Sequence, residues 1–302
     1  MSIETIIDPD ADIRSALAEA AAFDDTPAPV ATDWARAALD AYYGLDQAPE
    51  AVPGSRHAAF RVVLDDGSAG VLQVSHPDAD PVAVDFQTQA LLHVGRADPG
   101  LPVQRIVPAR DGATSLWLAD DAGRARLVRL LTRLDGPPMS DAAVSDAAAV
   151  PVARTLARLH RALSGLWHPG GEKSLPGDLR RADRLRPLLG LLPDDDGQAL
   201  AHAALDDFER RARALLPALR QQPIHNGLTR DRLLADPAAP GRIVGILGFD
   251  RMVEAPLVAD LAVALSDWID PAPGTTTPPG HSPASPVSPP PTTRSRRCRT
   301  SK

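Results

Sequence analysis

The residues of this chain that could do chemistry gather in two adjoining stretches, PIHNGLTRDRLL at 223–234 and RIVGILGFDRMVEAPLVADLAVAL at 242–265. Together they carry His225, Asn226, Asp231, Asp250 and Asp260, side chains of the types that move protons or hold a divalent cation. A general base must be aligned by a partner within hydrogen-bond reach, and the sequence offers His225 none at a fixed spacing. Without such a partner His225 is too little for a general base, and Asp231 and Asp250 stand as further acids in the same two stretches. The other histidines (His57, His76, His93, His160, His168, His202 and His281) show no metal-ligand spacing and read as surface or core residues. Asp194, Asp195 and Asp196 read as a solvated turn and helix start. Cys298 is the one cysteine, which excludes an internal disulfide and a cysteine-rich metal centre.

Two kinds of element must position these residues. Ahead of them the pattern is that of a small sheet: a helix capped at Thr32 and Asp33, a hairpin of 60–64 and 71–74 about the turn Asp65-Asp66-Gly67, and apolar runs at 103–107, 115–118 and 125–131. Asp80 and Pro81 form a cap and first-turn pair for a helix carrying Phe86, Ala90, Leu91 and Val94. From Ser140 the period becomes helical, with Val152, Leu156, Leu159 and Leu163 on one stripe, then helices over 178–191, 198–219 and 256–268. A short hairpin at 233–235 and 242–247 interrupts them. The expected fold is α+β with two lobes. It divides into an N-terminal segment 1–32, a sheet-plus-helix lobe 33–134, a helical lobe 135–270 and a tail 271–302.

Composition removes several classes of function. Hydrophobic residues make up 44% and charged residues 24%, ordinary for a globular chain. No apolar run reaches bilayer length and the N-terminus lacks a signal pattern, so the expectation is a cytoplasmic protein with no membrane partner. The tail holds Arg294, Arg296, Arg297, Arg299 and Lys302 and no acid, which leaves 27 basic against 39 acidic residues on the body. A body of that sign repels phosphate backbones, so nucleic acid is not an expected partner. The tail is rich in Pro, Ser and Thr with almost no apolar side chain. It is expected to be a disordered, inert tail, with a protein partner, an aromatic-grooved domain or an acidic surface, as the alternative.

The same two stretches, a His-containing turn, a hairpin, a Gly-Phe-Asp loop and a helix, resemble the catalytic and metal loops of the aminoglycoside phosphotransferase superfamily, in particular its hydroxylysine kinase-like branch. The likeness extends upstream through VLQVSHPDADPVAVDFQTQALLHV, GLPVQRIVPARDG, VRLLTRLDG and LARLHRALSGLWHP, and covers about residues 33–268. It implies a protein kinase-like two-lobed fold, in which His225 resembles the histidine that braces the catalytic loop and Asp260 the aspartate that opens the last helix, both as framework. It also implies more helices beyond 270, where this sequence passes into its Pro-rich tail instead.

The departures fall on the chemistry. Kinase-type phosphoryl transfer uses a lysine on the nucleotide phosphates, a glutamate holding that lysine, a carboxylate beside the attacking hydroxyl, and an asparagine and an aspartate on Mg²⁺. Matched motif to motif, those positions are Gln73, Gln87, Gly227, Arg232 and Gly248. No lysine precedes Lys173, no glutamate lies between Glu50 and Glu172, and Asn226 is the only asparagine, so no change of register restores the set. Arg232 would set a fixed positive charge where a cation should bind. The resemblance therefore implies a kinase-like protein without phosphotransferase activity. It would take a nucleotide or small-molecule ligand at most. One alternative is an active kinase for a hydroxyl of an amino-alcohol or amino-sugar, with ATP and Mg²⁺ as cofactors. In it Asp231 and Asp250 supply the carboxylates, and Arg61 or Arg105 takes the phosphates. The other alternative is an interaction protein acting through its tail.

Overall fold

The computed structural model describes residues 28–52, 57–140, 148–173, 175 and 178–268. The tail, nearly all of segment 1–32 and residues 141–147 lie outside these, so the expectations about them find no counterpart here.

The first half is an antiparallel sheet. Strands β1 (Glu50–Val52), β2 (Ala58–Val63), β3 (Ala69–Val74), β4 (Ile106–Val107), β5 (Leu116–Ala119) and β6 (Ala125–Thr132) lie in the order β1-β2-β3-β6-β4, with β5 also pairing β6. The β2–β3 hairpin turns where expected, and the Asp66 carboxylate accepts from both the backbone N–H and the hydroxyl of Ser68. Alternation along the strands separates two faces. Phe60, Val62, Leu72, Val74, Val128 and Leu130 form a core with Leu39 and Tyr43 of the turn that follows helix α1 (Thr32–Ala38). That helix begins without a side-chain cap, so the Thr32 and Asp33 cap is not used.

Helix α2 (Pro81–Ala97) covers the other face. Asp80 accepts from the Val82 N–H at 2.9 Å and Pro81 opens the first turn, as its sequence implies. Its Phe86, Ala90, Leu91 and Val94 enter a second core with Val152, Leu156, Leu159 and Leu163 of α3 (Ala149–Leu163) and with Leu228, Leu233, Ile246 and Phe249. Leu228 and Phe249 belong to the loops that carry the candidate site. Fully burying one such side chain contributes about 1.5–3 kcal/mol, so the loops are anchored through their apolar residues.

The second half is mainly helical, and several expectations change there. The run expected as a helix over 178–191 is a 3₁₀ segment, Leu179–Leu191: Pro187 lacks an N–H, and Arg181 leaves helical geometry at φ −120° and ψ 23°. Helix α4 (Asp195–Arg211) starts earlier than 198, because Asp194 caps it by accepting from the Gly197 N–H, and ends well before 219. Only Ile106–Val107 of the apolar run 103–107 joins the sheet, while Val103 bridges to Ile246 in the other half. Strands β8 (Leu233–Asp236) and β9 (Ala239–Ile246) form the embedded hairpin. A pairing not foreseen joins β7 (Gln221–Ile224) to β10 (Val253–Pro256), just before helix α5 (Leu257–Ser266). Among the described residues no helix is long and apolar enough to cross a membrane.

Candidate functional site

Strand β7 ends at Ile224, so His225 and Asn226 open a loop that is fixed by the helix opposite. Asp260, fully buried in α5, accepts from the His225 N–H at 3.1 Å and the Asn226 N–H at 2.8 Å, and its Oδ2 lies 2.9 Å from His160 Nε2. One carboxylate thus ties the loop to both α5 and α3. Asn226 takes the left-handed conformation at φ 55°, which asparagine tolerates better than most residues. His225 Nε2 lies 2.9 Å from the Leu247 carbonyl, which places the ring proton on Nε2, and the ring meets Phe249 edge to face. Burial lowers the His225 pKa below the usual histidine value, so the ring stays neutral as a brace between the two loops.

Beyond the brace, Arg232 and Gly248 face each other. Arg232 Nη1 donates to the Gly248 carbonyl at 3.1 Å and to Asp250 Oδ1 at 2.7 Å. A β-carbon built on Gly248 would stand 1.8 Å from that nitrogen, so the guanidinium fills the space a side chain at 248 would need. Gly248 also has φ +83°. Burial pushes the Asp250 carboxyl up, but the charge and hydrogen bond of Arg232 outweigh it and hold the group below the usual carboxylate range. Asp231 accepts from the Thr229 hydroxyl instead. The two acids expected to share a remodelled site are therefore each engaged by a different partner.

In the sheet lobe, β3 and β6 pair Gln73 with Arg129, and α2 lies across them. Arg129, 4% exposed, donates from Nη2 to Gln73 Oε1 at 2.6 Å and Gln87 Oε1 at 3.1 Å, and from Nη1 to Thr88 Oγ1 at 3.0 Å and the Val84 carbonyl at 3.2 Å. No carboxylate is among these partners. Burial lowers its pKa to about 10, against the raising effect of Asp85 and Tyr43.

This arrangement of lobes and loops can be set beside known proteins. Residues 49–278 match the family described as "Phosphotransferase enzyme family". The chain belongs to that family. Among curated relatives, the hydroxylysine kinase of Mus musculus is 23% identical over 69% of this chain and 59% of its own length. That of Danio rerio is 26% identical over 68% and 61%. The homoserine kinase of Pseudomonas aeruginosa is 28% identical over 74% and 66%. The chain thus spans about three fifths of the length of the hydroxylysine kinases it matches. Among solved structures, a microcompartment-associated aminopropanol kinase superposes with a TM-score of 0.56 at 23% identity over 78% of this chain and 74% of its own. An amicoumacin kinase complex gives 0.54 at 14% over 72% and 63%. These likenesses establish the kinase-like two-lobed fold.

The phosphotransferase family implies a divalent cation, and the residues here do not fit one. Its two side-chain positions by resemblance are Arg232 and Gly248, and the guanidinium of the first stands in the space of the second. Among the described residues no three His, Cys, Asp or Glu side chains converge as a metal site. Gly227 is bare, with Cδ of Arg251 3.2 Å from where its β-carbon would be. Arg61 and Arg105, the expected substitutes for the phosphate lysine, are engaged otherwise. Arg61 pairs with Glu50 at 3.1 Å, and Arg105 donates to the carbonyls of Pro99 and Leu101, both at 2.8 Å.

Four residues of the site escaped the sequence reading. Arg129 becomes visible only once β3 and β6 are in register, and His160 only once α3 meets α5. His168 packs flat on Phe86 with its Nε2 3.0 Å from Asp85 Oδ2, holding the 168–173 segment against α2. Gly170 makes that approach feasible, since a β-carbon there would lie 2.8 Å from the Val82 carbonyl. The segment delivers Lys173, whose Nζ donates to the Asp250 carbonyl at 3.1 Å. The sequence signal for Lys173 is its rarity, since it is one of only two lysines in the chain.

Proposed function

We propose that this chain is a non-transferring member of the phosphotransferase family, which keeps the frame of a small-molecule kinase and binds a ligand without phosphorylating it. The observation that carries this reading is the Arg232 guanidinium, held by Asp250 and the Gly248 carbonyl in the space a metal-ligating side chain would need. A second positive charge cannot share that space. With Gly227 bare, no carboxylate extends from the position beside the acceptor hydroxyl, and Asp231 is turned to Thr229. Positioned acid-base groups contribute about 10²–10⁴ in rate and charge-stabilising donors about 10²–10³. Such effects do not simply add, yet loss of the whole set leaves little catalysis.

The test is transfer of labelled phosphate from Mg·ATP to hydroxylysine, homoserine, choline and an aminoglycoside, the acceptor types suggested by the relatives and the superfamily. The expected result is no product above a heat-inactivated control. Turnover on any acceptor that is lost in Asp231→Asn or Asp250→Asn would establish instead the active kinase with a rebuilt site.

A further inference from the structure

Three cations gather about Asp250, one of them on its carboxylate, where the 225–232 and 248–251 loops face the 168–173 segment. Arg232 holds the Asp250 side chain at 2.7 Å, and Lys173 holds the carbonyl of the same residue at 3.1 Å. The exposed Arg251 runs past bare Gly227, and its charge also acts on Asp250. Of the acids nearby, Asp231 is engaged by the Thr229 hydroxyl and Asp80 by the first turn of α2, while Glu172 lies in the 168–173 segment and Glu254 borders it. Burial lowers the Lys173 pKa by more than Asp250 and Asp80 raise it, as for a cation short of counter-charge. Two neighbouring positions, 227 and 248, carry no side chain that could compete for these donors.

We infer that Arg232, Lys173 and Arg251 form a metal-independent oxyanion site that takes a phosphate-type group, a diphosphate or phosphate ester, beside Gly227. A guanidinium presents parallel N–H donors to such a group and an ammonium adds a point charge, so protein cations supply the neutralisation a divalent ion would otherwise give. The site rests on the proposed absence of metal-dependent transfer, because it assigns to Arg232 the charge that Mg²⁺ carries in an active enzyme. Arg129 is not part of it, since four protein acceptors already take the hydrogens of its two terminal nitrogens.

The experiment is titration calorimetry of the full chain with inorganic pyrophosphate and with ADP, each in EDTA and again with excess Mg²⁺. Both ligands are expected to bind in EDTA, and Mg²⁺ is expected to weaken rather than strengthen them. Equal affinities assign recognition to the diphosphate, and a tighter ADP adds a nucleoside contact to the same site. Lys173→Gln and Arg251→Gln, each checked for an unchanged melting temperature without ligand, should weaken binding about tenfold, the scale of one charged hydrogen bond. Absence of binding in EDTA together with absence of phosphate transfer would overturn the oxyanion site while leaving the non-transferring reading intact. Binding that requires Mg²⁺, accompanied by turnover, would overturn both. Wild-type affinity in both variants would remove Lys173 and Arg251 from the site and so contradict it.

Discussion

At the scale of single residues, the loop that opens at His225 is held by its own buried hydrogen bonds. Asp260, His160 and His225 keep the loop in place through hydrogen bonds that involve no ligand. His225 does so in the neutral form, and this has a pH consequence. Its folded pKa lies below the ordinary 6.5, so the unfolded chain takes up the proton first as pH falls through that value. Stability is then lost at up to about 1.4 kcal/mol per pH unit until the folded pKa is reached. Urea unfolding at pH 7 and pH 5.5 should show a larger loss for wild type than for His225→Asn. An identical loss in both would mean that the brace does not titrate as its burial requires. His225 and Asp260 were legible as framework through the resemblance of the loops that carry them. That Arg232 fills the space of Gly248 was not, because a sequence names two substitutions without saying that one sits on the other.

At the scale of elements, the sheet lobe keeps the link between β3 and α2 with different parts. Gln73 and Gln87 stand where the resemblance places a lysine and a glutamate, and Arg129 from β6 joins them. The link is costly in one respect, since a buried cation meets only neutral acceptors. Replacing Arg129 by Met should still lower stability by about 2–4 kcal/mol, because the Gln73, Gln87 and Thr88 oxygens lose its N–H donors, each such loss costing about 1–3 kcal/mol before relaxation, while the Val84 carbonyl keeps the Thr88 hydroxyl. Denaturant unfolding reads this directly, and a more stable Arg129→Met protein would show that the cost of burying the charge exceeds the four bonds. The hairpin β2–β3 and the start of α2 were readable from turn and cap chemistry. The β7–β10 pair was not, because each strand is four residues long with a proline, too short for a period. The 3₁₀ run at Leu179–Leu191 was misread because its apolar spacing is helical while Pro187 and Arg181 interrupt the backbone.

At the scale of the molecule, one apolar core runs from α2 through α3 to the loops that carry Leu228 and Phe249. The two halves therefore hold the site as one body, whatever its charges have become. This persistence explains why the family could be read from framing residues along the chain although the chemical ones had changed. It also makes the site suitable for repair. Returning lysine to position 73 would set a second cation against Arg129, whose Nη2 lies 2.6 Å from Gln73 Oε1, so repair belongs at the metal positions alone. Gly248→Asp by itself would clash with the guanidinium, whereas Arg232→Asn with Gly248→Asp removes the clash and places at both positions the side chains that the resemblance assigns to the metal. Aspartate is also among the residues that best tolerate a positive φ. The most direct measurement is therefore the melting temperature of wild type and of this double variant with ADP, in EDTA and then in millimolar Mg²⁺. Wild type should gain nothing from Mg²⁺ and the double variant should gain stability from it. A wild-type protein stabilised by Mg²⁺ as strongly as the variant would contradict the claim that Arg232 has taken the place of the metal.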